Sequence, residues 1–144
     1  MILKKEQLAK EFIGVGRAYK LSFSKANLKY DCSLKDMRII ELLATGPKTM
    51  SELAKEIQLT PGTMTTAVDK LIESKHVKRV HDIIDRRKIT IELLQKGKKV
   101  ADTIHSLSLD ISSRMLEALN EKEQDQLILA LSKINKHLEN QLFK

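Results

Sequence analysis

Apolar residues recur in steps of three and four at both ends of the chain, which is the spacing of an amphipathic helix. The first stripe predicts one long N-terminal helix and consists of Leu8, Phe12, Val15, Tyr19, Phe23, Ala26 and Tyr30. Two further stripes predict a fifth and a sixth helix and consist of Val100, Ile104, Leu107, Ile111, Met115 and Ala118, then Leu127, Leu131, Ile134, Leu138 and Leu142. The fifth helix would have about 24 residues and a length of roughly 36 Å. Because stripes on such long helices need a partner, the chain ends predict an interlocked homodimer.

Residues nearer the middle of the chain predict two shorter helices. Ser33 can cap the second helix, with Asp36 completing a capping box three residues later, and Gly46-Pro47 ends it. A third helix is predicted near Met50 to Ile57, with Ser51 as its cap.

The fourth helix has the clearest start in the sequence. Thr60 is a favourable N-cap, and Pro61 suits the first helical position. Leu59 and Met64 occupy the two positions of a hydrophobic staple. The inward face is predicted to contain Met64, Val68, Leu71 and Ile72, and the outward face Thr63, Thr66, Asp69, Lys70 and Glu73.

A β-hairpin is predicted after this helix. Residues 77–81 contain two valines in a basic run, and residues 88–93 alternate polar and apolar positions like a half-buried strand. The tip between them carries two adjacent isoleucines, Ile83 and Ile84, to which the sequence assigns no role. The predicted fold class is therefore mainly α with a small β element.

Positive charge is concentrated around this hairpin. The chain has 26 Lys or Arg and 19 Asp or Glu, for a formal charge of +7. Residues 75–99 hold nine of the basic side chains and three of the acidic ones, a net charge of +6. This distribution is typical of a surface that binds phosphate. No Gly-rich phosphate loop or nucleophile–base pair is visible, so we predict neither an enzyme nor a cofactor.

The composition limits the class of protein further. A hydrophobic fraction of 42% and a charged fraction of 31% are typical of a helix-rich globular protein rather than a disordered one. The single cysteine, Cys32, allows no intrachain disulfide. Because the N-terminus becomes charged at Lys4 and no apolar run approaches the roughly 18 residues of a membrane span, we predict a cytoplasmic protein without membrane contact.

Taken together, these segments resemble the MarR family of bacterial transcription regulators. The order of helices is similar over essentially the whole chain, and the matching motifs are Ser51 to Lys55, Leu59 to Leu71, Val77-Lys78-Arg79, Asp85-Arg86-Arg87 and Lys96-Gly97. The resemblance implies an obligate homodimer. It implies a winged helix-turn-helix DNA-binding lobe at residues 33–95 and helical dimerisation regions at residues 1–32 and 96–144. The expected partner is double-stranded DNA with a palindromic, A·T-rich operator.

The resemblance also implies control by a ligand. The run from Gly62 to Thr66 is similar to the branch of the family that represses fatty-acid-synthesis genes and responds to acyl chains on acyl carrier protein. We therefore expect acyl-acyl carrier protein or a small apolar ligand as effector. In the family, a glycine usually ends the fourth helix, which is the recognition helix; Lys75 stands at that position here. The walls of the implied ligand crevice would include Phe12, Tyr19, Met37, Ile40, His105 and Leu109.

The fourth helix is the predicted recognition helix. A helix with an exposed polar face can enter the major groove, and threonine can bond a base edge or phosphate and pack against a thymine methyl. Threonines near a helix start can also simply cap it. The predicted β-hairpin would be the wing of this lobe. In the wing, we expect one arginine to pair with Asp85 and Arg87 to enter a narrow, A·T-rich minor groove. The full set of predicted DNA-binding residues is Ser51, Thr60, Thr63, Thr65, Thr66, Lys70, Arg79, Asp85, Arg86, Arg87 and Lys88.

Two alternatives to a ligand-controlled DNA-binding regulator remain open. A winged-helix module could bind an acidic protein partner through the basic hairpin. A regulator could instead sense oxidants through Cys32 or bind a metal through Cys32, Glu41, Asp102 and His105. Cys32 has Asp31 and Ser33 as neighbours, and the redox cysteine of the family usually lies earlier, within the first helix, so we predict an inert thiol. The histidines form no pair at i, i+4 and no tight Cys/His cluster, so we predict no metal site.

Overall fold

A computed structural model describes residues 1–26 and 32–142, apart from the side chain of Leu142. The described helices and strands are α1 (Ile2–Ala26), α2 (Leu34–Ala44), β1 (Lys48–Thr49), α3 (Met50–Ile57), α4 (Pro61–Glu73), β2 (Val77–His81), β3 (Ile89–Leu93), α5 (Gln95–Leu116) and α6 (Glu121–Leu142). The mainly α fold with a small sheet is thus confirmed. Tyr30, the last member of the first predicted stripe, lies outside the described residues.

Capping boxes define the starts of α2 and α3. The Ser33 hydroxyl accepts the N–H of Asp36, and the Asp36 carboxylate accepts the N–H of Ser33, as predicted. The prediction of Ser51 as the cap of α3 was wrong. Thr49 is the cap, because Glu52 lies three residues after it and returns a 2.7 Å bond to the Thr49 N–H. Backbone and side-chain bonds from Thr49 lower the pKa of Glu52.

The fourth helix begins as predicted. Thr60 adopts an extended backbone, and its hydroxyl accepts the N–H of Thr63, while Pro61 is the first helical residue. The helix ends at Glu73, and Lys75 then adopts φ +60°. Glycine reaches this left-handed conformation without steric cost, so Lys75 stands at a position that favours glycine.

A three-stranded antiparallel sheet has the strand order β1-β3-β2. The predicted hairpin pairs Arg79 with Ile91 and Val77 with Leu93. The short strand β1 was not predicted, because two residues cannot show the alternation by which strands are recognised. It pairs Lys48 with Ile91 and so places the start of α3 beside the hairpin.

One apolar core holds these elements together. It contains the inward faces of α2, α3 and α4, the centre of the sheet and the first half of α5. Its buried members are Met37, Ile39, Ile40, Leu43, Leu53, Met64, Ala67, Val68, Leu71, Val77, Ile91, Ala101 and Ile104. Because Met64, Val68 and Leu71 are anchored here, the opposite face of α4 is exposed.

The chain divides into two compact units, Met1–Ser108 and Leu109–Lys144. In the first unit, α1 contains no buried residue. In the second unit, Asn120 and Glu123 form a capping box at the start of α6. Apart from half-buried Leu127, the described side chains of α6 are exposed. No helix in the described part of the chain is long and apolar enough to cross a membrane.

A close backbone contact fixes the start of α5 against the base of the hairpin. The N–H of Leu94 donates to the carbonyl oxygen of His76 at 2.9 Å. Gly97 is buried beside the same oxygen, and a Cβ atom at Gly97 would overlap it. Only glycine therefore fits at this position without a shift of α5.

We expect Gly97→Ala to lower the free energy of unfolding by about 1–3 kcal/mol, because the added methyl forces α5 away from His76. Gly62→Ala is the matched control, since nothing lies within 4 Å of a Cβ at that helical position. The control should leave stability unchanged or raise it by up to about 1 kcal/mol. Urea unfolding followed by circular dichroism measures both. Equal stability of the two variants would contradict the close contact.

Candidate nucleic-acid interface

Helices α3 and α4 form a helix-turn-helix with a short connection. Gln58 ends α3 in the left-handed conformation at φ 59°, and the N–H of Leu59 then closes the turn onto Ala54 at 3.1 Å. Leu59 packs against the core. The connection leaves the N-terminus of α4 exposed, with Thr60 and Pro61 at the surface.

The predicted threonines lie on the exposed face of α4, and their hydroxyl groups have defined partners. Thr65 donates to the carbonyl of Pro61 at 2.9 Å, and Thr66 donates to that of Gly62 at 3.1 Å. A hydroxyl that donates inward presents its oxygen lone pairs and leaves the adjacent methyl group available to solvent. Thr63 differs, because its oxygen receives a 2.8 Å bond from Thr60. The face thus offers acceptors and methyl groups to an incoming ligand.

Three cations of this surface, Lys70, Lys78 and Arg79, form ion pairs within the protein. Arg79 on β2 forms a 2.5 Å ion pair with Asp69 on α4, which joins the hairpin to the recognition helix. Lys70 lies 3.5 Å from the carboxylate of Asp36, which is only 3% exposed. Lys78 lies 3.8 Å from Glu92. Most of these pairs are at least partly solvated, so each contributes little to stability and can exchange for another anion.

At the hairpin tip, the acidic side chains turn back onto the backbone. Asp82 accepts the N–H groups of Asp85 and Ile84 at 2.9 and 2.8 Å, and these bonds lower its pKa. Asp85 accepts the N–H of Arg87 at 3.1 Å. Their charges are therefore directed into the turn rather than away from it.

The basic side chains of the tip extend outward. The expectation that Asp85 pairs with the arginine that does not enter the groove was wrong, because Arg87 itself lies near Asp85, at 3.6 Å. The side chain of Arg87 is still 96% exposed. Arg86 and Lys88 are also exposed, as is Ser51 on α3. The insertion of Arg87 into a minor groove therefore stays a prediction.

His76 is a buried titratable group that sequence reasoning did not single out. It follows the left-handed Lys75, is 6% exposed, and has its Nδ1 atom 2.6 Å from the Ser74 hydroxyl. Burial lowers the pKa of His76; Lys96 lowers it further, and Asp36 opposes both. The sequence did hold a signal for its burial, since it lies between the end of α4 and Val77, the first residue of the predicted strand.

Cys32 lies near this histidine, with its sulfur 4.0 Å from Nε2 of His76. The sequence had shown no base partner for the thiol, because the two residues are 44 positions apart. Glu41, Asp102 and His105 line one cavity of about 390 Å³. Among residues 1–26 and 32–142, no group of three His, Cys, Asp or Glu side chains could hold a metal ion.

A second cavity of about 290 Å³ lies in the first compact unit. It is lined by Tyr19, Lys20, Phe23, Ser24, Leu34, Met37, Arg38, Glu41 and Ser108. The rings of Tyr19 and Phe23 stack with centroids 6.2 Å apart. The sequence singled out Tyr19 and Met37 for a ligand crevice but missed Arg38, since a charge on a helix surface is ordinarily solvated.

The other predicted crevice residues lie in different surroundings. Phe12 is exposed on α1, and Ile40 is fully buried in the core. His105 lines the 390 Å³ cavity, and Leu109 is exposed in the second unit. Of the six predicted residues, therefore, only Tyr19 and Met37 line the smaller cavity.

Comparison of the sequence with known proteins identifies related transcription regulators. The sequence profile of the MarR family matches residues 30–88. The chain is similar to the uncharacterised HTH-type transcriptional regulator YkoM of Bacillus subtilis, with 31% identity over 110 residues covering 76% of this chain and 71% of YkoM.

Solved structures show the same fold. A MarR family protein from Bacillus stearothermophilus superposes with a TM-score of 0.88 at 21% identity, covering 96% of this chain and 98% of that one. FabT of Streptococcus pneumoniae, solved in complex with DNA, superposes with a TM-score of 0.77 at 21% identity, covering 94% and 98%.

We expect the stability of the protein to fall as the pH drops below about 6.5, the ordinary histidine pKa. Because the pKa of His76 is lowered by folding, the unfolded chain takes up the proton first, and this favours unfolding until the folded histidine is also protonated. His76→Gln should flatten this part of the curve. Urea unfolding at a series of pH values between 5 and 8 is the measurement. Parallel curves for the two proteins would show that His76 is not the responsible group.

Proposed function

The chain belongs to the MarR family of winged helix-turn-helix transcription regulators, and from this membership we propose that it is a repressor that binds a palindromic operator as a homodimer. The observation that carries the proposal is the exposed, threonine-bearing face of α4, joined to a basic hairpin by the ion pair between Asp69 and Arg79. A helix of this kind fits the major groove, and an arginine-bearing arm fits the minor groove.

Phosphate contacts would supply much of the affinity. The net charge of +6 in residues 75–99 gives the hairpin and the start of α5 an attraction for any nucleic acid. Preference for one sequence must then come from groups that touch base edges. On α4 these are Thr63, Thr65 and Thr66, whose acceptors and methyl groups match the adenine amino group and the thymine methyl of A·T pairs.

Exposed apolar stripes support the homodimer. Leu8, Phe12 and Val15 are exposed on α1, and Ile128 and Leu131 are exposed on α6. Long helices are stabilised mainly by packing of such faces, and large exposed apolar patches mark interaction sites. A second copy would cover them and would present two recognition helices to half-sites about 34 Å apart.

The 290 Å³ cavity supports control by a ligand. Its aromatic and methionine wall suits an apolar or acyl group, while Arg38 and Lys20 suit an acidic head group. A ligand that binds better at one spacing of the recognition helices would shift the population of dimers towards that spacing. Control of fatty-acid-synthesis genes is the finer form of this proposal. It is supported by the run from Gly62 to Thr66 and by the fold shared with FabT.

The function is tested by selecting DNA fragments from the source genome with the purified protein. The selected fragments should share a palindrome, and a duplex containing it should bind more tightly than a scrambled one. Affinity should also fall steeply with added salt. Equal binding to scrambled duplex and to another polyanion would instead favour the protein-interaction module.

Arg87→Ala is expected to weaken operator binding by about tenfold to a hundredfold and to reduce the salt slope by about one. The reason is the loss of an exposed cation at the hairpin tip. Arg114→Ala is the matched control, because Arg114 is an exposed arginine on α5, far along the chain from the hairpin, and should not change binding. Gel-shift titration at several salt concentrations measures both variants. Unchanged affinity of Arg87→Ala would reject the wing contact.

Substitutions at Thr66 separate a methyl contact from an acceptor contact. Replacing a thymine that Thr66 contacts with uracil in one half-site removes one methyl group, which should weaken the wild-type complex about fourfold. Thr66→Ser lacks the side-chain methyl and should lose this sensitivity, whereas Thr66→Val should keep it. Equal sensitivity in Thr66→Ser and the wild-type protein at every thymine would argue against this contact.

A further inference from the structure

Two isoleucines at the hairpin tip have no role in the interactions described so far. Ile83 and Ile84 are 96% and 97% exposed, the highest values among the large apolar side chains that the structure describes, apart from Met1. Single exposed apolar residues are common, but two adjacent β-branched residues at a protruding tip present a compact apolar surface. Such a surface is stabilised when it moves from water into apolar surroundings.

Hydrogen bonds within the hairpin stabilise the conformation of the tip. Asp82 accepts the backbone N–H groups of Ile84 and Asp85, and Lys88 donates its N–H to the carbonyl of Asp85 at 2.9 Å. The two strands are also closed by the N–H of Asp82 donating to the carbonyl of Lys88 at 2.9 Å. The isoleucines are therefore presented by a turn that needs little further ordering on contact.

The charges beside the isoleucines indicate the chemistry of the partner. Asp82 and Asp85 direct their carboxylates towards backbone N–H groups, whereas Arg86, Arg87 and Lys88 are exposed. An apolar tip with a cationic border fits a surface that has an apolar floor between rows of anions. The minor groove has this form, because deoxyribose and base edges lie between two phosphate strands.

We propose that Ile83 and Ile84 form an apolar wedge that contacts the deoxyribose wall of the minor groove in the DNA flanking the operator. This inference rests on the proposed DNA-binding function and adds an apolar contact to the part that the arginines play at the tip. The wedge contributes an apolar, salt-independent component of binding, while Arg87 and its neighbours contribute the salt-dependent one. Contacts of this kind depend on groove width and on the ease of deforming a base step rather than on hydrogen bonds.

The test uses the full-length protein and the duplex recovered by genomic selection. Hydroxyl-radical footprinting first locates the flanking deoxyriboses that the wild-type protein protects in the minor groove. The variant Ile83→Ser/Ile84→Ser is then compared at saturating concentration. It should lose protection in the flanks and keep it over the central palindrome. Thermal unfolding should match the wild type, because both side chains are exposed.

Affinity gives a second, independent measure. The serine variant should bind the long duplex about tenfold more weakly, since part of two isoleucine side chains is no longer removed from water. The slope of log affinity against log salt should stay the same, because no counterion is released by an apolar contact. On a duplex trimmed of the protected flanks, the variant and the wild type should bind equally. The matched control, Ile83→Leu/Ile84→Leu, keeps the apolar surface and should bind like the wild type.

The outcomes show separately whether the wedge hypothesis fails and whether the proposed DNA-binding function fails. If the wild type prefers the operator but the serine variant shows the same affinity and the same flank protection, the wedge is wrong and the function stands. A changed salt slope, or an equal loss on the trimmed duplex, also overturns the wedge, because the substitution would then act through the neighbouring cations. If the wild type shows no preference for any duplex, the proposed function itself fails.

Discussion

The carbonyl group of His76 is the contact on which the arrangement of the lobe depends. It accepts the N–H of Leu94 at 2.9 Å, and Gly97 packs so closely against it that no side chain fits there. The N–H of His76 donates to Leu71 in the last turn of α4, also at 2.9 Å. One short segment therefore joins the recognition helix, the base of the hairpin and the start of α5. These backbone contacts of His76 therefore fix the angle between α4 and the hairpin.

Local signals in the sequence were sufficient for most of the fold. Thr60 and Pro61 define the start of α4 because a cap and its first helical residue are neighbours in the chain. The hairpin was predicted from alternation over adjacent residues for the same reason. The cap of α3 was misassigned to Ser51, although the box formed by Thr49 and Glu52 could have been recognised. Strand β1 could not be predicted, since its two residues are held by pairing with distant β3.

The site was less predictable, because its electrostatics depend on which distant side chains meet. Exposure of the threonines followed from the helical period of α4. The partners of Arg79 and Lys70 did not follow, since Asp69 and Asp36 reach them only after the hairpin and α2 pack on α4. The burial of His76 depends on the same packing. A sequence thus gives the number of charges on a surface, while the fold decides which of them are already neutralised.

This pairing changes what the positive charge of the hairpin can contribute to binding. A phosphate that engages Arg79 must displace Asp69, so the gain from that contact is the difference between two ion pairs. An exposed pair of this kind is worth only about 0–1 kcal/mol, so the exchange is easy but yields little net free energy. The net charge of residues 75–99 therefore overstates what Arg79 contributes to phosphate binding. Components that do not depend on counterion release can add to the affinity at cellular salt, and the methyl groups of α4 and the isoleucines of the hairpin tip are the candidates on this surface.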